Sequence, residues 1–204
     1  ALLMVVFHGA NYLALRTEGD LHDRAVKVSG IAGILTAVLF VLGGIWVYMG
    51  IDGYVATAGL DPAGPANPLA KTVEVQAGAW FANYSALPLL WVVPVLGIAG
   101  ALLGSVLVKK GRIWPAIFCS SAAILGIVLT PLISMFPFVM PSSTMFNAGL
   151  TIWDCTSSQL TLEIMLFVTL IFLPIVVFYT SWAYRVMSGK LNASYIEKNT
   201  HSLY

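Results

Sequence analysis

Three histidines, two cysteines and a handful of carboxylates are the side chains here that could ligate a metal or carry a proton. His8 lies within the apolar run "ALLMVVFHGANYLAL". An imidazole there can ligate a metal such as a haem iron, or hydrogen-bond to a neighbouring helix. With no second histidine at i+4, the hydrogen bond is the simpler reading. His22 and His201 stand beside charged residues and read as solvated surface. Cys119 and Cys155 form no CxxC or metal-ligand spacing, and a disulfide between them is implausible because Cys119 falls near the cytoplasmic start of its apolar run and Cys155 in an outer segment, on the sidedness argued below. Acidic residues inside a membrane are functional suspects by default. Asp52, Asp154 and Glu163 all fall near the ends of apolar runs, none near a middle. Capping or pairing at an interface is therefore the expected role for each, ahead of proton relay. No phosphate-cradling glycine motif is present.

The elements that must position these residues follow from composition. Of 204 residues, 59% are hydrophobic and 9% charged, against about 25% charged in a soluble domain. Such a chain has too little polar surface for water, so it is an all-α integral membrane protein, a polytopic helical bundle forming a single membrane domain over 1–204. Full spans are expected at about 28–51, 86–108, 113–136 and 160–184. Each reaches the roughly 20 residues that cross a hydrocarbon core, and in that core only backbone paired within its own segment is tolerated. The apolar stretch before Arg16 is shorter and reads as a truncated N-terminal helix rather than a signal peptide. Gly97, Gly100, Ala101 and Gly104 put small residues at three- and four-residue spacing, a pattern for close helix packing.

Basic residues set the sidedness. Segments 16–27, 52–85, 109–112, 137–159 and the tail from 185 hold 3, 1, 3, 0 and 3 of the ten Lys and Arg. By the positive-inside rule the first, third and fifth are cytoplasmic, including the C-terminus. The stretch "MFPFVMPSSTMFNAGLTIWDCTSSQLTLEIM" is then an outer segment, too apolar to stay extended in water. It is expected to form an ordered cap docked on a neighbouring subunit. Trp153 would be its buried anchor, and Asp154 would accept hydrogen bonds from backbone or a basic partner. Thr156 and Gln159 match a capping box opening the last helix, with Glu163 early in that helix. The other outer segment is turn-rich at Pro62, Pro65 and Pro68, and "KTVEVQAGAWFANYSA" is expected to form a short interfacial helix.

The motifs "GANYLALRTEGDLHDRA", "GGIWVYMGIDGYV", "NPLAKTVEVQAGAWFANY", "MFPFVMPSSTMFNAGLTIWDCTSSQLTL" and "YIEKNTHSLY" together resemble subunit II of the cytochrome bd-type ubiquinol oxidases, in order and in spacing. The resemblance runs along the whole chain and is to the C-terminal part of that subunit. It implies a bacterial inner-membrane terminal oxidase that oxidises quinol, reduces dioxygen to water and generates a proton motive force. It further implies that haem b and haem d are held by subunit I, the heterodimer partner, and that this chain is the non-haem subunit. A bound quinone, a small accessory membrane subunit and membrane lipid complete the implied partners, with no nucleic acid. No catalytic, cofactor-binding or metal residue carries over; Trp153, Asp154, Gln159, Glu163 and Asp52 are structural or interface candidates. A secondary transporter fragment, with helices broken at Pro94, Pro131 or Pro174, is one alternative. A purely structural membrane subunit is another.

Overall fold

A computed structural model describes residues 1–61, 67–186 and 188–189. His201 and the terminal motif "YIEKNTHSLY" lie outside the described residues. Six α-helices dominate: α1 Leu2–Arg16, α2 Asp20–Gly50, α3 Ala82–Ala86, α4 Val92–Lys109, α5 Ile113–Met135 and α6 Gln159–Val186. Among the described residues, four helical stretches are long and apolar enough to cross a membrane: Asp20–Gly50, Pro88–Lys109, Ile113–Met135 and Gln159–Val186. These are the four expected spans, and α1 is a shorter apolar helix beside them. Pro94, Pro131 and Pro174 do not break their helices, each lying inside a continuous one. The broken-helix feature of the transporter alternative is therefore not found.

Helices α1, α2, α4 and α5 pack as a ring of four, each against two neighbours. Small residues make the ring tight. At Gly126 on α5, an added Cβ would lie 2.4 Å from the Gly97 nitrogen on α4. At Gly100 it would lie 2.6 Å from the Cys119 carbonyl oxygen. The small-residue stripe is thus the α4–α5 contact, where backbones approach as only glycine permits. Between α2 and α4 the ring of Phe7, fully buried, fills the space left by Gly33 and Gly104. Ala32, Ala37, Ala101 and Ala123 close the core around it.

The segments joining α2 to α3 and α5 to α6 hold four short strands. β1 Gly53–Ala58 pairs antiparallel with β2 Thr72–Gln76, from Gly53↔Gln76 to Ala58↔Thr72. β3 Phe138–Met140 pairs with β4 Leu150–Thr151. The interfacial helix expected over 71–86 is only half present. Its first part, "TVEVQ", alternates branched and polar side chains and takes the strand its composition favours. A 3-10 turn at Ala79–Phe81 and α3 follow.

α6 differs from the other helices in burying none of its described residues. Just beyond it, the Gly189 carbonyl accepts a hydrogen bond from Arg16 Nη1 at 3.0 Å. That contact brings the ends of α1 and α6 to one end of the molecule. The two β-bearing segments meet at the opposite end, through contacts described next.

Candidate functional site

The two basic-poor segments form a single cap, and its centre is an ion pair. Lys71 Nζ lies 2.7 Å from Asp154 Oδ2, with the lysine side chain fully buried and the aspartate side chain 9% exposed. The same ammonium donates to the Pro68 carbonyl at 2.7 Å. Asp154 Oδ2 also accepts from the Thr151 backbone N–H at 3.0 Å and from the Thr151 hydroxyl at 2.6 Å. Burial by itself pushes the Asp154 carboxyl up. The Lys71 and Thr151 donors outweigh it, so the group is held below the usual carboxylate range. A charge taken out of water needs this density of partners.

Further contacts seal the two segments. Val73 N–H donates to Asn147 Oδ1 at 2.8 Å, tying β2 to the turn before β4. The Tyr54 ring packs against Trp80, Phe138 and Phe146 at centroid distances of 5.3, 6.4 and 5.4 Å. Asn83 Nδ2 donates to the carbonyls of Ile133 and Phe136, clamping α3 onto the end of α5. The Phe136–Pro137 peptide is cis. The outer face of the cap remains apolar, with Phe136, Val139, Met140, Met145 and Phe146 all exposed.

The structure places the five candidate residues unequally. Asp154 is at the centre of the cap and has both a backbone and a basic partner, the latter from this same chain. Trp153 is half-buried, its ring edge-on to Phe136 at 6.0 Å, so Phe138 and Lys71 replace it as the buried anchors. Asp52 is exposed just past α2, and its carbonyl accepts from Trp80 Nε1 at 3.1 Å. The capping box is not formed. The Thr156 hydroxyl turns back to the Ile152 carbonyl, and Ser158, the residue before α6, pairs with the Thr161 hydroxyl instead. Gln159 is the first residue of α6 and its amide donates to Glu163 Oε1 at 3.0 Å, one turn along the exposed helix. Sequence reasoning missed Lys71. The signal was present: it is the one basic residue in either basic-poor segment.

An apolar groove of about 670 Å³ opens beneath the cap between α2 and α4. Phe40, Ile45, Tyr48, Phe81, Tyr84 and Trp91 are among its walls. Phe81 packs on Tyr48, Tyr84 and Trp91, with centroids 5.4, 6.0 and 6.1 Å away. Three of its hydroxyls are turned to backbone: Tyr84 donates to the Thr130 carbonyl, Ser85 to Phe81, and Thr130 to Gly126. What it offers a ligand is hydrocarbon and aromatic surface.

His8 and His22 are not among the walls of this groove. His8 Nδ1 is 2.8 Å from Ser120 Oγ, so this imidazole bridges α1 to α5. His22 is half-buried rather than solvated, with Nδ1 2.8 Å from the Ala14 carbonyl, because α2 folds back along α1. No cluster of three or more His, Cys, Asp or Glu occurs among the described residues. Cys119 and Cys155 are both free thiols.

Comparison with known proteins places the chain. "Probable cytochrome oxidase subunit 2" of Haemophilus influenzae is 46% identical over 204 residues, covering 100% of this chain and 54% of that protein. "Cytochrome bd-I ubiquinol oxidase subunit 2" of Escherichia coli K12 is 46% identical over 201 residues, 98% of this chain and 53% of that protein. The chain spans about half the length of the curated relatives it matches. The family model "Cytochrome bd terminal oxidase subunit II" matches residues 1–187. With the helical bundle and the capped end already described, that match shows that the chain belongs to the cytochrome bd terminal oxidase subunit II family.

Proposed function

We propose that this chain works within a respiratory quinol oxidase, which oxidises quinol, reduces dioxygen to water and generates a proton motive force. The observation that carries the reading is the family match along residues 1–187. In this reading haem b and haem d belong to the complex and are held by subunit I. The chain itself is the non-haem partner, in a heterodimer that a small accessory membrane subunit can join. Its residues bind and orient rather than react. The Lys71–Asp154 pair holds the cap together, and the cap's exposed Phe136, Met140, Met145 and Phe146 offer an apolar docking face. The groove under the cap suits a hydrocarbon-tailed ligand, for which a bound quinone is the candidate.

The location that follows is the bacterial inner membrane, with the Arg16 and Lys109 end of the bundle in the cytoplasm and the cap outside. Support comes from the alternating basic count, and from the contacts that gather the basic-poor segments at one end. The test is purification of the tagged full-length protein from its native membrane. The expected result is a co-purifying haem-bearing subunit and quinol-dependent oxygen uptake. A monodisperse preparation with neither a haem spectrum nor such uptake would overturn the reading.

A further inference from the structure

Asn11 is the most deeply buried amide side chain of the helical ring. It is 0% exposed and lies on the inner face of α1 with Phe7, Ala10 and Ala14. The Ser29 hydroxyl of α2 donates to its Oδ1 at 2.7 Å. Its Nδ2, equally closed to bulk solvent, has no hydrogen-bond partner among the described residues. An amide nitrogen has two hydrogens to donate, and leaving both unpaired in an apolar core forfeits the hydrogen bonds that water made to them in the unfolded chain. In a membrane-spanning bundle neither lipid nor bulk water can make up that loss. Small polar cavities in folded proteins recover it with internal water, which takes two to four polar partners.

We propose that the bundle holds an internal water bound to the Asn11 amide between α1 and α2. Its second partner is the Ser29 hydroxyl oxygen, which donates to Asn11 and still has lone pairs free to accept. The site is one helical turn from His8, which lies on the same side of α1 and is bonded through Nδ1 to Ser120. A water there places a source of exchangeable protons one turn from an imidazole, in a core of Phe7 and alanines where the other buried hydroxyls, Thr36, Ser105 and Ser120, already donate to backbone carbonyls. It also accounts for a polar pair in a layer where two apolar residues would pack without cost.

The experiment is X-ray radiolytic footprinting of the full-length protein in nanodiscs, in oxygen-18 water, with a high-resolution map of the same sample. Hydroxyl radicals generated from a bound water label the side chains beside it. Phe7, one turn from Asn11 on the same face, is the reporter. Val108, 1% exposed in the apolar cluster with Ala25 and Ala116, is the closed control. The expected result is Phe7 labelling at least tenfold above Val108 after correction for intrinsic reactivity, and loss of that excess in Asn11→Leu. The map should show a peak about 2.7–3.2 Å from the Asn11 amide nitrogen. Equal labelling of Phe7 and Val108, or an excess that survives Asn11→Leu, would overturn the proposal. If Asn11→Leu does not fold, the wild-type map decides: no peak at Asn11 beside waters seen elsewhere rejects the site.

Discussion

The Asp154 carboxylate sits where the surroundings leave it little water, with Lys71 as its ion-pair partner. Asp154 is held below its ordinary value of 3.8 by donors that outweigh its burial. A carboxyl depressed in the folded state adds stability that is fully present above its unfolded pKa and is lost as pH falls through the folded one. Hydrogen-exchange protection of 137–155 should therefore hold constant from neutral pH down to the ordinary carboxylate range and fail only in stronger acid. Asp154→Asn should remove that acid transition and lower protection at pH 7. Truncating either partner leaves the other buried and unpaired, so Asp154→Ala or Lys71→Ala should cost about 3–5 kcal/mol in opening of the cap. The pair Lys71→Met with Asp154→Leu should recover most of that loss, measured by the same exchange. Trp153→Ala should cost less, about 0.5–1.5 kcal/mol for a lost edge-on aromatic contact beyond its area, since the ring is only half-buried. A larger effect of Trp153→Ala than of Asp154→Ala would reverse this ranking.

Among the elements, the α4–α5 seam has the least tolerance. Gly126→Ala puts a methyl 2.4 Å from a backbone nitrogen that cannot rotate away. It should destabilise the bundle by about 1–3 kcal/mol or more, as overpacking does. Gly43→Ala, where an added Cβ meets nothing within 4 Å, should be close to neutral or slightly stabilising, with thermal unfolding of both variants as the measurement. The seam was legible in the sequence because its glycines and alanine recur at helical spacing. The spans were legible for the same kind of reason: uninterrupted hydropathy over about 20 residues has few other solutions. The strands were not. β3 is three residues long and β4 two, and both exist because their edges pair with each other and against Tyr54 from a distant segment. The capping box failed for a local reason. Thr156 had a carbonyl four residues back within reach, and Ser158 lay closer to where the helix begins. Partnership between Lys71 and Asp154 is likewise set by tertiary contact across the cap, to which periodicity is blind.

For the whole molecule, the fold reads as a four-helix ring, a cap, and one helix that buries none of its described residues. In the proposed reading, where subunit I holds the haems, the chain purified without a partner is expected to show no stoichiometric Soret band in a reduced-minus-oxidised spectrum; His8 and His22 are both absent from the walls of its apolar groove. Sidedness has a native probe. Cys155 is exposed in the cap, so a membrane-impermeant maleimide should modify it in whole spheroplasts. Ser143→Cys, also exposed, is a second reporter; Ser142 is less suited because its oxygen accepts from the Met145 N–H. Labelling of both only after the membrane is opened would invert the topology. The cap's central pair has one more consequence, and it concerns time. Lys71 and Asp154 are 83 residues apart, and a ribosome adding about 5–20 residues per second needs roughly 4–17 s to cover that stretch. If the cap lies outside, as proposed, the first of its two segments is exported before the counterion of its lysine has been made. The cap then cannot finish folding in the order in which it is synthesised. The β1–β2 segment must wait for the β3–β4 hairpin to follow and close the circuit.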